Sequence, residues 1–185
     1  MPLVVETIVT TLGADGAPHI APLGLIAEGA RWIIAPFRPS TTLDNLRARP
    51  FAVANHTDDV RTFAGSLTGR RDWPLVDSGG PVPRLAAALA HTELRVAHVE
   101  EHEQRPRVHC EVVASHAHAP VPGFNRAKHA VLELAILASR LHMLPREKVE
   151  SEIAYLEIAI GKTAGAAELE AWSWLMAKVK GFYGA

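Results

Sequence analysis

Near residue 120 the hydrophobic pattern changes its period, and no all-α or all-β fold accommodates that change. Up to Ala119 the apolar residues come in short runs and alternations of period 2, bounded by glycine and proline turns, which is strand patterning. From Phe124 they recur at helical spacing. Val131, Leu134, Ala135, Ala138 and Leu141 make one face, Val149, Ile153, Leu156 and Ile160 a second, and Leu169, Trp172, Leu175, Met176 and Val179 a third. The junction, Ala119-Pro120-Val121-Pro122-Gly123, reads as a linker. The chain is therefore expected to be α+β, with a β domain over residues 1–120 and an extension of three antiparallel helices, of roughly 15 residues each, over 121–185.

Within the β half, Val4 to Leu12 and His19 to Ala27 flank Gly13-Ala14-Asp15-Gly16 as a hairpin, and Glu28-Gly29-Ala30 turns the chain into a third strand, Arg31 to Phe37. Thr42 to Arg49 reads as a short helix ended by Pro50, Phe51 to Asn55 as a fourth strand, and a second short helix follows from Asp58. Gly65 to Pro83 holds four glycines and three prolines, a loop and a candidate lid. Thr92 to Glu103 and Arg107 to His118 form a second hairpin across Gln104-Arg105-Pro106. Six mostly antiparallel strands joined this way favour a closed or partly open barrel over a doubly wound parallel sheet. In the helical half, Pro145 opens the second helix, and Gly161 and Gly165 separate it from the third, with Lys162-Thr163 as loop and cap. Trp172 and Trp174 cannot share a helical face, so Trp172 is assigned to the core and Trp174 to the surface or an interface.

Several function classes lose support at once. A formal net charge of −1 leaves no global basic surface for nucleic acid. No stretch reaches the roughly 18 apolar residues of a membrane span, and Met1-Pro2-Leu3-Val4-Val5-Glu6 is not a targeting segment, so a cytoplasmic protein is expected. Cys110 is the only cysteine, which removes intrachain disulfides and CxxC motifs. Gly161-Lys162-Thr163 is not a P-loop, because Leu156 stands where the first glycine is needed; GxGxxG and GxSxG are absent. Among ten histidines, His116 and His118 share a strand face and His98, His102 and His109 lie in the same hairpin. With no HExxH and residues four apart on a strand about 13 Å from one another, no metal site is expected.

The polar turn FRPSTTLDNL, residues 37–46, behind the third strand, carries two readings. Ser40, Thr41 or Thr42 caps the helix that follows, Thr41 and Asp44 nearly forming a capping box. Alternatively, Arg38 with three hydroxyls and a helix amino terminus converges on an anion, with Asp44 opposing it unless it points away. Gly24, inside a strand, permits a flat ligand to approach the backbone or marks a barrel bend. ANHTDD, residues 54–59, is the other polar cluster at a strand end: Asn55, His56, Thr57 and Asp58 face a ligand, or Asp58 caps the next helix and His56 lies at the surface.

The stretch ETIVTTLGADGAPHIAPLGLIAEGARWIIAPFRPSTTLDNLRARPFAVANHTDDVRTF resembles the amino-terminal part of the DUF447 family, a branch of the FMN-binding split β-barrels related to flavin reductases and pyridoxamine-phosphate oxidases. FNRAKHAVLELAILASRLHML and IGKTAGAAELEAW are similar to that family's helical portion, so the resemblance spans nearly the whole chain. It implies a homodimer holding FMN. Arg38, Ser40, Thr41 and Thr42 would take the phosphate and Asn45 the phosphate or ribityl chain. Phe37, Thr10, Thr11 and Ala21-Pro22-Leu23-Gly24 would lie along the cofactor, with Asn55, His56 and Asp58 towards its edge or a substrate. The implied activity is a flavin-reductase-like oxidoreductase using NAD(P)H on a small molecule, with no catalytic residue assigned. The alternative is a non-catalytic flavin-binding or assembly protein linked to tetrahydromethanopterin-dependent one-carbon metabolism, with a pterin-like substrate or partner.

Overall fold

A computed structural model of the chain describes residues 2–184. Their contacts gather into two compact units, 1–57 with 73–121, and 58–72 with 122–185.

The first unit is a closed antiparallel barrel. Its strands are β1 (Val4–Leu12), β2 (Pro18–Glu28), β3 (Arg31–Ile34), β4 (Phe51–His56), β7 (Ala90–Glu100) and β8 (Arg107–Ala117), paired in the order β1-β2-β3-β8-β7-β4 with β4 closing onto β1. Between them lie helix α1 (Thr41–Ala48) and a small two-stranded sheet of β5 (Leu75–Val76) and β6 (Arg84–Leu85). The β1–β2 hairpin turns on Gly16, whose φ of 84° lies in the left-handed region. The β2–β3 turn has Gly29 at φ 61° between the paired residues Glu28 and Arg31, a glycine-first two-residue hairpin. β3 stops at Ile34 rather than continuing to Phe37. Pro36 has no N–H to donate, and the Ala35 carbonyl accepts instead from Arg105 Nε at 2.8 Å. Val9, Leu25, Ile34, Ala54, Leu94, Val108 and Cys110 fill the interior, and Leu43 and Leu46 of α1 pack into the same cluster.

Burial in this core pushes the Cys110 thiol up to about 12, its group being wholly inaccessible. The native protein is accordingly expected to resist a thiol-specific reagent at pH 8 and to react with one equivalent after denaturation; rapid native labelling would contradict the burial.

The second unit is helical: α2 (Val60–Leu67), α3 (Arg126–Ser139), a single 3-10 turn at Leu141–Met143, α4 (Arg146–Thr163) and α5 (Ala166–Tyr183). Its core joins Val60 and Ala64 of α2 to Val131, Leu134 and Ala138 of α3, Val149, Ile153 and Leu156 of α4, and Trp172, Leu175 and Val179 of α5. The three expected helices are present, and α2 covers them as a fourth. Two details depart from the sequence pattern. Leu169 is half exposed, so the buried face of α5 runs through Ala171, Trp172 and Leu175 instead. Gly161, Lys162 and Thr163 are the last turn of α4 rather than a loop, and only Gly165 stands between that helix's end and α5. Thr163 still caps, but for a different helix. Its hydroxyl accepts from Ala127 N at 3.1 Å and its carbonyl accepts from Asn125 Nδ2 at 3.0 Å, while Asn125 Oδ1 takes Ala127 N at 2.8 Å at the start of α3. Trp174 packs at the edge of the core with the Arg70 guanidinium 4.2 Å from its ring centroid. Among the described residues no helix is long and apolar enough to cross a membrane.

Candidate functional site

Helix α1 begins where the chain leaves β3 through Ala35-Pro36-Phe37-Arg38 and a cis Arg38–Pro39 peptide. Ser40 is the N-cap, its Oγ accepting from Leu43 N at 3.2 Å, so the helix-cap reading holds for this hydroxyl. The amides of Thr41 and Thr42 precede the first intrahelical bond and are donors at the positive end of the helix. Thr41 is exposed, Thr42 is buried, and Asp44 is exposed.

The arginine is paired across the barrel rather than left open. Arg38 Nη2 meets Glu101 Oε2 at 2.6 Å and its Nε meets the His102 carbonyl at 3.4 Å; Arg47, from the last turn of α1, meets the other Glu101 oxygen at 2.5 Å. Two guanidiniums from opposite ends of α1 thus hold one carboxylate between them. Arg47 went unremarked in the sequence, because only the β7–β8 turn, more than fifty residues away, reveals it as half of a pair. All three side chains are more than a third exposed, so these pairs contribute little to stability and give way readily to a stronger anion. Phe37 is exposed, with the Arg105 guanidinium 4.8 Å from its ring centroid.

The other expected contacts are used in several ways. Ala21, Pro22, Leu23 and Gly24 form a half-buried run along β2, opposite Val9, Ile8, Thr7 and Glu6 of β1. A Cβ on Gly24 would stand 2.7 Å from Val4 Cγ1 and 3.3 Å from Glu6 Oε1, so the glycine accommodates side chains of the neighbouring strand. Thr10 and Thr11 are fully buried, and each accepts from an amide: Asn55 Nδ2 to Thr10 Oγ1 at 2.9 Å, and Asn45 Nδ2 to Thr11 Oγ1 at 3.0 Å. Asn55 also donates to the Ile8 carbonyl at 2.8 Å and accepts from Leu85 N at 2.7 Å. Asn45 and Asn55 are therefore internal ties, and the structure does not bring their amides out to a ligand surface. Asp58 belongs to the helical unit, where it forms an ion pair with Lys128.

His56 stays at the end of β4, half-buried, its Nε2 3.1 Å from Thr92 Oγ1. Burial, and then the neighbouring His91, lower its pKa below the ordinary value, so its imidazole is neutral at pH 7. A neutral imidazole here can donate or accept one hydrogen bond.

The family model for the DUF447 amino-terminal domain, a protein of unknown function, matches residues 5–119, and that for the DUF447 carboxy-terminal portion matches 125–177. No curated protein sequence matches the chain. Among solved structures, an FMN-bound protein of the same family from Methanosarcina mazei superposes with a TM-score of 0.82 at 23% identity, covering 96% of each chain. The 2-nitrobenzoate 2-nitroreductase of Pseudomonas fluorescens superposes with a TM-score of 0.52 at 22% identity, over 64% of this chain and 66% of its own. The flavin reductase of styrene monooxygenase from Pseudomonas putida S12 gives 0.53 at 12% identity, over 63% and 82%. The barrel is thus of the split-barrel type seen in flavin reductases, and the two family models together span most of the chain: it belongs to the DUF447 family.

Proposed function

We propose that the chain is an FMN-binding oxidoreductase of flavin-reductase-like type acting on a small molecule. The observation that carries this reading is the Arg38–Glu101–Arg47 arrangement at α1. A carboxylate held by two exposed arginines beside a helix amino terminus stands in for the anion the site is built to take, and a phosphate carries more charge and more acceptor oxygens than the carboxylate it would displace. The Methanosarcina protein of the same family is FMN-bound, which supports flavin mononucleotide as the source of that phosphate.

In this reading Arg38 and Arg47 release Glu101 and clamp the phosphate, and the amides of Thr41 and Thr42 donate to it. Ser40 holds the first turn of α1 so that those amides point outward. The Ala21–Gly24 run and Phe37 flank the ring system, and neutral His56 serves as a hydrogen-bonding group towards a second ligand. FMN, when bound, supplies hydride transfer, and the protein's part is to orient it and limit water. The active form is a homodimer: Val112 and Val113 are 41% and 56% exposed on β8, an apolar strand segment suited to a second copy of the chain.

The test is direct. The purified protein, titrated with FMN, is expected to quench flavin fluorescence with one equivalent per chain. Arg38→Ala combined with Ser40→Ala is expected to weaken binding by about 100-fold or more, since each charged phosphate contact is worth about 1.5–3 kcal/mol. Full FMN affinity in that variant would overturn the phosphate assignment. Anaerobic bleaching of the flavin bands by NADH or NADPH is the expected sign of the oxidoreductase. The second reading, a flavin-binding protein that docks a partner, is favoured by the exposed Tyr155, Ile158 and Leu169 of the helical unit. Flavin bands that persist under either nucleotide would select it.

A further inference from the structure

The β7–β8 pairing assembles a second cluster, separate from the α1 arrangement, out of residues that lie far apart in the chain. His91 and Glu93 sit two apart on β7, and the register places His116 of β8 directly opposite His91. One ligand atom from each of the three lies within 4.8 Å of the others. His91 is 1% exposed and its Nε2 has no hydrogen-bond partner. The nearest charged group is Glu93 Oε1 at 3.6 Å, beyond hydrogen-bond reach. On the other side of the ring, His91 Nδ1 lies 2.8 Å from His118 Nε2. If His91 donates there, its Nε2 presents a bare lone pair to Glu93 and His116. If His118 donates instead, a buried N–H is left without an acceptor, which is the costlier arrangement.

We propose that His91, Glu93 and His116 bind a divalent first-row transition metal ion, with His118 as the outer partner that fixes the His91 tautomer. Four features fit this assignment. Two imidazoles and one carboxylate are the donor set of zinc and ferrous sites. Ligand atoms about 2.0–2.2 Å from a tetrahedral metal lie about 3.3–3.6 Å from each other, and the His91–Glu93 separation of 3.6 Å already meets that edge, so closure needs only a modest movement of exposed His116. A histidine whose second nitrogen is hydrogen-bonded to an outer group is the usual form of a metal ligand. Glu93 is held in place by the 79–80 backbone, for a Cβ on Gly80 would stand 2.3 Å from Glu93 Oε2. The charge of Arg84 acts on both His91 and His118. It favours their neutral, ligating forms, and the Glu93 carboxylate offsets its repulsion of the ion. Three protein ligands with one of them exposed leave a coordination position open, as in catalytic rather than structural sites.

The experiment uses the full-length protein, stripped with a chelator and dialysed, then titrated with ZnCl2 and, anaerobically, with ferrous sulfate. Bound metal is measured by elemental analysis, and FMN content is measured in parallel. One ion per chain is expected. His116→Ala, a change at an exposed residue, should weaken binding by about 100-fold or more, and His118→Phe by about 10- to 100-fold, both with FMN affinity unchanged. Glu93→Gln should weaken it as His116→Ala does while keeping the side chain's volume. Absence of saturable binding of either ion, or binding that His116→Ala and Glu93→Gln both leave intact, would overturn the site; FMN titration of the same samples reads the flavin assignment independently.

Discussion

Asn55→Ala is expected to destabilise the barrel by about 3 kcal/mol, read as a lower midpoint in urea unfolding followed by far-ultraviolet circular dichroism. Asn55 is completely buried and ties three segments together: it donates to the Ile8 carbonyl and Thr10 Oγ1 of β1, and accepts from Leu85 N of β6. Alanine leaves the Leu85 N–H without an acceptor in a dry interior and Thr10 without its donor. Each orphaned group costs about 1–3 kcal/mol, and the loss of packing adds to it. The β5–β6 segment should also loosen, seen as faster amide exchange around Leu85. FMN affinity per folded molecule is expected to change little. A stable Asn55→Ala protein that has lost its flavin would instead make this amide a ligand contact and reverse the assignment.

The fate of Asn55 shows what a sequence does and does not disclose. A polar residue at a strand end beside histidine and aspartate has the look of a binding group. Its role follows from register: β1 pairs with β4 so that Ile8 stands opposite Asn55 and Thr10 opposite Val53. That closing pair joins the first strand to the fourth across more than forty residues, and no local pattern encodes it. The same holds for Asn45 and Thr11. The hairpins, by contrast, were legible, because glycine at positive φ and the alternation of side chains are local properties. The change of period at residue 120 likewise separated barrel from helices, although it could not show that 58–72 belongs to the helical unit.

At the candidate site, the N-cap role of Ser40 was readable from spacing alone, whereas the partner of Arg38 was not. Glu101 comes from the other hairpin, and through it Arg47 acquires a part. The histidine cluster is a stronger case. Read linearly, His91-Thr92-Glu93 and Ser115-His116-Ala117-His118 carry no metal motif, and separations along one strand argue against a site. Pairing the strands replaces those distances with the short spacing between neighbouring strands. The expectation of no metal site rested on same-strand geometry, which the cross-strand arrangement does not obey.

Leu134→Ala is expected to cost the helical unit about 3–5 kcal/mol, while Leu169→Ala should stay within about 0.5 kcal/mol of the parent, both measured by thermal and urea unfolding at 222 nm. Leu134 is fully buried at the middle of α3, in the core cluster that α2, α4 and α5 share, so alanine opens a cavity that four helices cannot all close upon. Leu169 sits at a helical spacing from Trp172 and Met176 that suggests the same core, yet half of it is exposed. Periodicity fixes the direction of an apolar stripe but not how far round the helix its cover extends. On α5 the cover reaches Ala171, Trp172, Leu175 and Val179, and leaves Leu169 on the flank. A loss at Leu169 as large as that at Leu134 would mean that this flank is covered in solution, which a second chain would do; the same samples run at several protein concentrations would then show an unfolding midpoint that rises with concentration.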